Sequence, residues 1–275
     1  AVASALRLMG AFDRAARAVI ARFRSPGPLA LALVLTTAAL SCVATNDMAL
    51  IMMLPLSAAT LMGANLPRLV TPVFVLQSLA ANLCGMIVPF GNPQNLYLYS
   101  YYGLGLGDFL AAMALPFALS TAGIVACTWW LCGQSNGGSD RDDTRSLAAP
   151  MPLSRRRLAI YGALVALTLL AVFRIVPVAA AVAVVAAALA ALDRRALAAV
   201  DWGLLATFAC FFVFAGNMAR VPEVSAWLSP LMADHGLLVS AGLSQIISNV
   251  PAAVLLSHFT GAWQPLLVGV NIGGA

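Results

Sequence analysis

Two polar clusters interrupt apolar stretches of this chain, and their residue types are suited to binding ions. The first is Thr45-Asn46-Asp47, and the second is Ser248-Asn249-Val250-Pro251. In hydrocarbon an unpaired backbone amide or carbonyl costs several kcal/mol, so a helix broken at membrane depth persists only where protein or a ligand cavity satisfies it. Two such breaks in corresponding parts of two halves of a chain predict a binding site at the midplane of a secondary transporter.

A third break is expected where Pro89-Phe90-Gly91-Asn92-Pro93-Gln94-Asn95 divides another over-long apolar stretch. A polar residue before a helix is a good N-cap, and proline suits the first helical turn, so each break should begin a half-helix. The free N–H groups of such a helix start carry roughly +0.5 charge and attract anions. The carbonyl ends of the preceding half-helices and the asparagine amides offer neutral oxygens to a desolvated cation such as Na+.

These features predict a site that binds both an anion and a cation, and they predict the residues that form it. Substrate contacts are expected from Thr45, Asn46, Asn92, Gln94, Asn95, Ser248 and Asn249. Ion-coupling roles are expected for Asp47, Asn82 and Asn271, and Na+ is expected at Asn46, Asn92 and Asn249. The alternative is that the asparagines only cap helix ends and hold helices together.

Asp47 is a separate candidate, because an acid at the centre of a bilayer costs about 2.5 to 3.5 kcal/mol on insertion scales and is functional by default. It would couple transport to H+ or Na+. The alternative is a capping carboxylate that never changes state.

The composition predicts an all-α polytopic membrane protein. Of 275 residues, 62% are hydrophobic and 9% are charged. No H-E-x-x-H, no G-x-S-x-G and no paired intramembrane aspartates occur, so an enzyme is not expected. No cofactor beyond Na+ or H+ and no nucleic-acid partner are expected. The five cysteines form no C-x-x-C pair, so they are expected to act as small apolar residues.

The pattern of apolar stretches divides the chain into two repeats of opposite orientation. Nearly all arginines fall on one side if the amino end is cytoplasmic, which predicts a multi-pass protein of the cell inner membrane whose two hairpins enter from opposite sides. The alternative to a true repeat is chance similarity between alanine-rich segments. The apolar run at 265–275 is too short to span a membrane, so the chain is expected to be a fragment. The predicted parts are an amphipathic cytoplasmic or interfacial helix at 1–27; a first repeat at 28–132 with a re-entrant hairpin at 28–61, a broken helix at 69–103 and a span at 109–132; a cytoplasmic loop at 133–157; and a truncated second repeat at 158–275 with a hairpin at 235–257 and the start of a broken helix at 265–275.

At these motifs the chain resembles the ion transporter superfamily, which includes arsenite permeases, a class of Na+/H+ antiporters, divalent-anion/sodium symporters and citrate-type permeases. The resemblance rests on the first polar cluster, on Asn82-Leu83-Cys84-Gly85 with the proline-containing break, on Asp201-Trp202-Gly203, on Ser248 to Ala252, and on Gly269 to Gly274. It implies a scaffold domain and a moving transport domain that holds substrate and cations between hairpin tips and unwound segments, and it suggests a homodimer. The chain departs from the dicarboxylate symporters at Asp47, where they usually carry threonine, and at Val250-Pro251.

The sequence therefore predicts an inverted-repeat secondary active transporter with two re-entrant hairpins and discontinuous helices. Its partners would be the lipid bilayer and a small anion or oxyanion, arsenite- or carboxylate-like, carried with Na+ or H+ by alternating access of the elevator type. The alternatives are a Na+/H+ antiporter and, more remotely, a receptor or assembly subunit that does not transport.

Overall fold

The computed structural model describes residues 22–23, 25–133, 155–192, 194, 198, 200 and 202–274. Most of the predicted segment 1–27, most of the predicted loop 133–157, and Asp201 lie outside these residues. Within them every regular element is helical and no strand occurs. The α-helices in chain order are α1 Pro26–Ala44, α2 Asn46–Gly63, α3 Val70–Gly85, α4 Pro93–Tyr101, α5 Leu106–Cys132, α6 Arg155–Val172, α7 Val178–Leu192, α8 Trp202–Met218, α9 Pro222–Ile247, α10 Asn249–Leu256 and α11 Trp263–Gly273.

Several of these helices have the length and composition of membrane spans. α1, α2, α5 and the segment Pro67–Gly85, which joins a short 3-10 turn to α3, each meet that criterion. α8 and α9 meet it as a pair bent by 96°. The described part of the chain is therefore an all-helical, polytopic membrane protein.

The first and last predicted breaks share one backbone feature. Thr45 lies between α1 and α2 with φ 70°, and Ser248 lies between α9 and α10 with φ 77°. Positive φ is rare outside glycine and costs on the order of 1–3 kcal/mol, and it is a genuine outlier for a β-branched residue. Each break thus places a hydroxyl residue in a strained conformation directly before the asparagine that begins the next helix.

The third break lies between α3 and α4, at residues 86–92. Gly91 packs so closely against the carbonyl of Gly85 that a Cβ at position 91 would collide with it. Only glycine allows this approach, which lets the chain leave one helix and begin the next within seven residues.

Two helix lengths differ from the sequence-based expectation. The arms of the first predicted hairpin contain 19 and 18 residues, because α2 continues through Pro55 to Gly63. Each arm is therefore long enough to cross a membrane, and the re-entrant course stays a prediction. The first arm of the second predicted hairpin begins well before residue 235, because α9 runs from Pro222 to Ile247 and is only kinked at His235 (φ −133°, ψ 29°).

The described residues form two compact units. Unit 1 contains those within 1–40, 47–77 and 125–200, and unit 2 contains those within 41–46, 78–124 and 201–275. In unit 1 the buried Gln77 donates from Nε2 to Thr37 Oγ1 at 2.8 Å and to Ser57 Oγ at 2.7 Å, which joins three helices. In unit 2, α9 packs on α10 and α11, and α4 packs on α10. All three breaks lie at residues of unit 2.

Candidate substrate site at the helix breaks

Asn271 in α11 is the centre of a buried amide network in unit 2, and only 1% of its surface is exposed. Its Oδ1 accepts from Gln94 Nε2 at 3.1 Å and from Asn92 Nδ2 at 3.4 Å. Its Nδ2 donates to Asn95 Oδ1 at 2.6 Å and to the carbonyl of Leu267, one turn earlier, at 2.8 Å. One side chain of α11 therefore holds the first turn of α4.

The same network continues to the first break. Asn95 Nδ2 donates to the Met86 carbonyl at 3.0 Å, which fastens the unwound segment before α4. Asn92 Nδ2 donates to the Asn82 carbonyl at 3.2 Å, and Asn46 Nδ2 donates to Asn82 Oδ1 at 2.8 Å. Five of the asparagines predicted from the sequence are thus joined by hydrogen bonds that run from the start of α2 to α11.

Two oxygens of this network have no partner. Oδ1 of Asn46 and Oδ1 of Asn92 are buried and accept no hydrogen bond. Leaving a buried acceptor unsatisfied costs about 1–3 kcal/mol, which a bound donor or cation would recover. Neutral side-chain oxygens are ligands of hard cations, so these two atoms fit the oxygen-rich site expected for Na+.

The capping role expected for the polar residues before α4 and α10 is wrong. Asn92 occupies the N-cap position of α4, but its Oδ1 accepts no capping bond, and its Nδ2 donates instead to the Asn82 carbonyl and to Asn271 Oδ1. Ser248 occupies the N-cap position of α10 with positive φ, an exposed side chain and no capping bond. Neither side chain covers the positive end of its helix, so both ends remain suited to an anion.

The second tip is held against the end of α11. Asn249 Oδ1 accepts from Ser244 Oγ at 2.8 Å, and that hydroxyl also lies 3.1 Å from the Val270 carbonyl. Gln245 Nε2 donates to the Gly273 carbonyl. An open pocket of about 460 Å³ is lined here by Ser244, Gln245, Ile246, Ile247, Ser248, Asn249 and Gly274.

Two glycines allow α11 to lie directly on α9. A Cβ on Gly269 would lie 2.6 Å from Ser240 Cβ and 2.7 Å from the Leu237 carbonyl, and one on Gly273 would collide with the backbone of Ala241. Small residues four apart permit this close approach of helices in membranes. Asn271 lies between the two glycines, so its position depends on this contact.

Tyrosines that the sequence-based prediction omitted tie α4 to the end of α10. Tyr97 Oη lies 2.8 Å from Ser257 Oγ, and Tyr102 Oη donates to the carbonyls of Thr260 at 2.8 Å and Ser257 at 3.2 Å. The signal in the sequence is the recurrence of tyrosine from Tyr97 to Tyr102 directly after the break. Ser244 and Gln245, one turn before the second tip, were also omitted.

Some predicted residues take no part in the hydrogen bonds described above. Asp47 lies in the first turn of α2 with an exposed side chain, and it belongs to unit 1, whereas Asn46 belongs to unit 2. Thr45 is half-buried and Ser248 is exposed. The network therefore consists of neutral amides, and the predicted coupling role of Asp47 stays a prediction.

The family model described as "Citrate transporter" matches residues 1–272 of this chain. The chain belongs to the citrate transporter family. This confirms the resemblance seen in the sequence, and membership makes the protein a membrane transporter rather than an enzyme.

Three similar proteins are named as an inner membrane protein or as transporters. The inner membrane protein YbiR of Escherichia coli K12 is 30% identical over 273 residues, covering 98% of this chain and 71% of YbiR. The uncharacterized transporter MJ0456 of Methanocaldococcus jannaschii is 30% identical over 245 residues, covering 89% of this chain and 65% of that protein. The uncharacterized transporter Rv2685 of Mycobacterium tuberculosis is 28% identical, covering 99% of this chain and 72% of that protein.

Proposed function

We propose that this protein is a secondary active transporter that carries a small carboxylate of the citrate type, or a related oxyanion, together with Na+ or H+. The observation that carries the proposal is the amide network around Asn271, which includes the starts of α2 and α4. Two oxygens of this network, Oδ1 of Asn46 and Oδ1 of Asn92, are buried and unpaired. The description of the family supports a citrate-type substrate.

The anion would be held by the starts of α4 and α10. Neither start is capped by the side chain before it, and the side chains of Gln94 and Asn95 lie in the first turn of α4. These groups are neutral amides, so the charge of a carboxylate would be balanced by the helix ends and by a cation bound with it. A cation is therefore needed for tight anion binding.

The cation would be held by Oδ1 of Asn46 and Oδ1 of Asn92, the two buried oxygens without partners. Both residues hydrogen-bond to Asn82, so they belong to the same hydrogen-bonded network. Binding of Na+ would satisfy both oxygens and stabilise the starts of α2 and α4. This links cation binding to the shape of the anion site.

Alternating access of the elevator type would move unit 2 as the carrier of the site. The hydrogen-bonded network, the three breaks and the tyrosine contacts all belong to unit 2. The matching conformations of Thr45 and Ser248, each followed by a helix that begins at asparagine, support two repeats with hairpin tips. Strain at both tips fits segments that must change conformation when substrate binds.

The test is flux into proteoliposomes that contain the purified protein. Labelled citrate is supplied under an inward Na+ gradient, under an inward proton gradient, and under neither, with protein-free liposomes as the control. Accumulation driven by one gradient supports the proposal. Na+/H+ exchange without anion flux would identify an antiporter instead, and anion binding without any flux or counterflow would identify a receptor or assembly subunit.

A further inference from the structure

The helices α6 and α7 of unit 1 form an antiparallel pair. Tyr161 and Leu164, near the start of α6, pack in one buried cluster with Leu189, near the end of α7. The connection between the helices consists only of residues 173–177, and connections this short join antiparallel neighbours. The start of α6 and the end of α7 therefore lie at the same end of the pair.

Arginine is concentrated at the residues that form this end. The first three residues of α6, 155–157, are all arginine, and Arg194 follows the end of α7 by two positions. Residues 155–157 and 193–195 together contain five arginines and one aspartate, a net charge of +4, whereas the whole chain carries +5. Most of the net charge therefore occurs in or directly beside the residues that begin α6 and end α7.

Arg194 has hydrogen-bonding groups available for a ligand. Its side chain is exposed, and its Nε donates to the Ala190 carbonyl at 3.2 Å. Among the residues that the structure describes, no carboxylate forms a salt bridge with it. Its terminal N–H groups are thus open to a partner, and the planar fork of a guanidinium matches the oxygens of a phosphate.

The surface next to the arginines is apolar and shallow. α7 contains only alanine, valine and leucine. Near the arginine-rich end, Gly162 and Ala163 of α6 and Ala187 and Ala191 of α7 are exposed. A Cβ added to Gly162 would have no neighbour within 4 Å. Because these side chains are small, a hydrocarbon chain can lie close to the helix backbones.

The length of α7 places its end near the lipid phosphates. Its 15 residues extend about 22 Å, whereas the hydrocarbon core of a bilayer is about 30 Å thick. A segment shorter than the hydrocarbon core is accommodated by local thinning of the bilayer and by flanking arginines that extend to the interface. Arginines that flank so short a helix therefore meet the headgroup region.

We propose that the arginine-rich end of α6 and α7 binds the headgroup of an anionic phospholipid, whose acyl chains lie along the apolar surface of the pair. A cationic end beside an apolar surface matches a molecule that joins phosphate to hydrocarbon, and basic sites beside membrane helices bind such headgroups. A lipid with two phosphates, such as cardiolipin, would contact both arginine groups at once. Lipid binding does not depend on the proposed transport function.

The test is native mass spectrometry of the purified full chain in detergent, titrated with cardiolipin, phosphatidylglycerol or phosphatidylcholine. We expect cardiolipin to bind most tightly, and phosphatidylcholine at least ~10-fold more weakly than phosphatidylglycerol. The variants Arg155→Gln/Arg156→Gln/Arg157→Gln and Arg194→Gln/Arg195→Gln should each weaken cardiolipin binding by at least ~10-fold. The control is Arg174→Gln, at the other end of the pair, which should bind cardiolipin like the wild type.

The wild type alone can overturn the proposal, so the test does not rest on the folding of a variant. Phosphatidylcholine that binds as tightly as the anionic lipids would do so. Displacement of cardiolipin by inorganic phosphate at equal concentration would also overturn it, because the ligand would then be a free anion.

The variants give two further outcomes that would contradict lipid binding at this end. One is an equal loss of cardiolipin in Arg174→Gln. The other is a dimer that persists without lipid and is lost in both arginine variants, which would assign the surface to a second copy of the chain. Circular dichroism and gel filtration establish that each variant is folded.

Discussion

The side chain of Asn271 donates from Nδ2 to Oδ1 of Asn95 at 2.6 Å, across 176 positions of sequence. Both side chains are buried, and the same Asn271 amide accepts from Gln94. The start of α4 and the body of α11 are therefore joined by buried amides that satisfy one another's hydrogen-bonding groups.

Replacing Asn271 with alanine removes the centre of this network. Asn95 Oδ1 and Gln94 Nε2 would lose their partner, at about 1–3 kcal/mol for each buried group left unsatisfied. We expect a lower unfolding temperature in detergent and citrate uptake reduced by at least ~10-fold, since 1.4 kcal/mol corresponds to a factor of ten. The matched control is Asn217→Ala, at an exposed residue near the end of α8, which should change neither.

The Na+ concentration that citrate uptake requires should be set in part by Asn92, whose Oδ1 is unpaired. In Asn92→Ala the Na+ concentration for half-maximal citrate uptake should rise by at least ~10-fold, because a ligand oxygen is lost with about 1.4 kcal/mol of binding energy. The measurement is initial uptake rate against Na+ concentration. An unchanged half-maximal Na+ concentration would remove Asn92 from the cation site.

The positions of the breaks were predictable from the sequence, whereas their hydrogen bonds were not. Asparagine after a hydroxyl residue and proline after Asn92 mark the helix starts, because these residues disfavour continuous helix. The bond between Asn271 and Asn95 depends on how α11 crosses unit 2, and no local pattern encodes that crossing.

The continuity of α9 shows a second limit of local patterns. The second hairpin was predicted to begin at His235, but α9 begins at Pro222 and continues past His235 with only a kink there. The exposed position of Asp47 likewise could not be read from an apolar stretch that suggested burial.

The glycine contact between α11 and α9 should be intolerant of a methyl group. In Gly269→Ala the new Cβ would lie 2.6 Å from Ser240 Cβ, and overpacking of this kind costs about 1–3 kcal/mol. We expect a lower unfolding temperature and weaker citrate binding, measured by thermal unfolding and calorimetry. Gly242→Ala on α9 is the control, because nothing lies within 4 Å of its added Cβ.

The strain at the second tip predicts that glycine is stabilising at position 248. Ser248 has φ 77° and an exposed side chain, so Ser248→Gly relieves strain while losing few contacts. We expect the free energy of unfolding to rise by about 1 kcal/mol. The same change at Ser229, inside α9, should lower it by about 0.5 kcal/mol. Stabilities that fall equally in both variants would contradict a strained tip.

The coupling role of Asp47 is tested by Asp47→Asn. If this carboxylate exchanges a proton or binds the cation, the variant should fold but lose the dependence of uptake on pH or on Na+. Asp108→Asn is matched to it, since Asp108 is also an exposed acid in the first turn of a long apolar helix. Retention of both dependences in Asp47→Asn would leave Asp47 as a residue that only stabilises the start of α2.

The joint binding of anion and cation is measured most directly by calorimetric titration of citrate into the purified protein, with Na+ or choline as the salt and at two pH values. Because coupling between two bound ligands is reciprocal, Na+ or protons should tighten citrate binding by at least ~10-fold, and citrate should tighten Na+ binding by the same factor. In Asn271→Ala this coupling should be lost. Citrate affinity that is the same in Na+ and choline, the same at both pH values and unchanged in Asn271→Ala would contradict a shared site at the helix breaks.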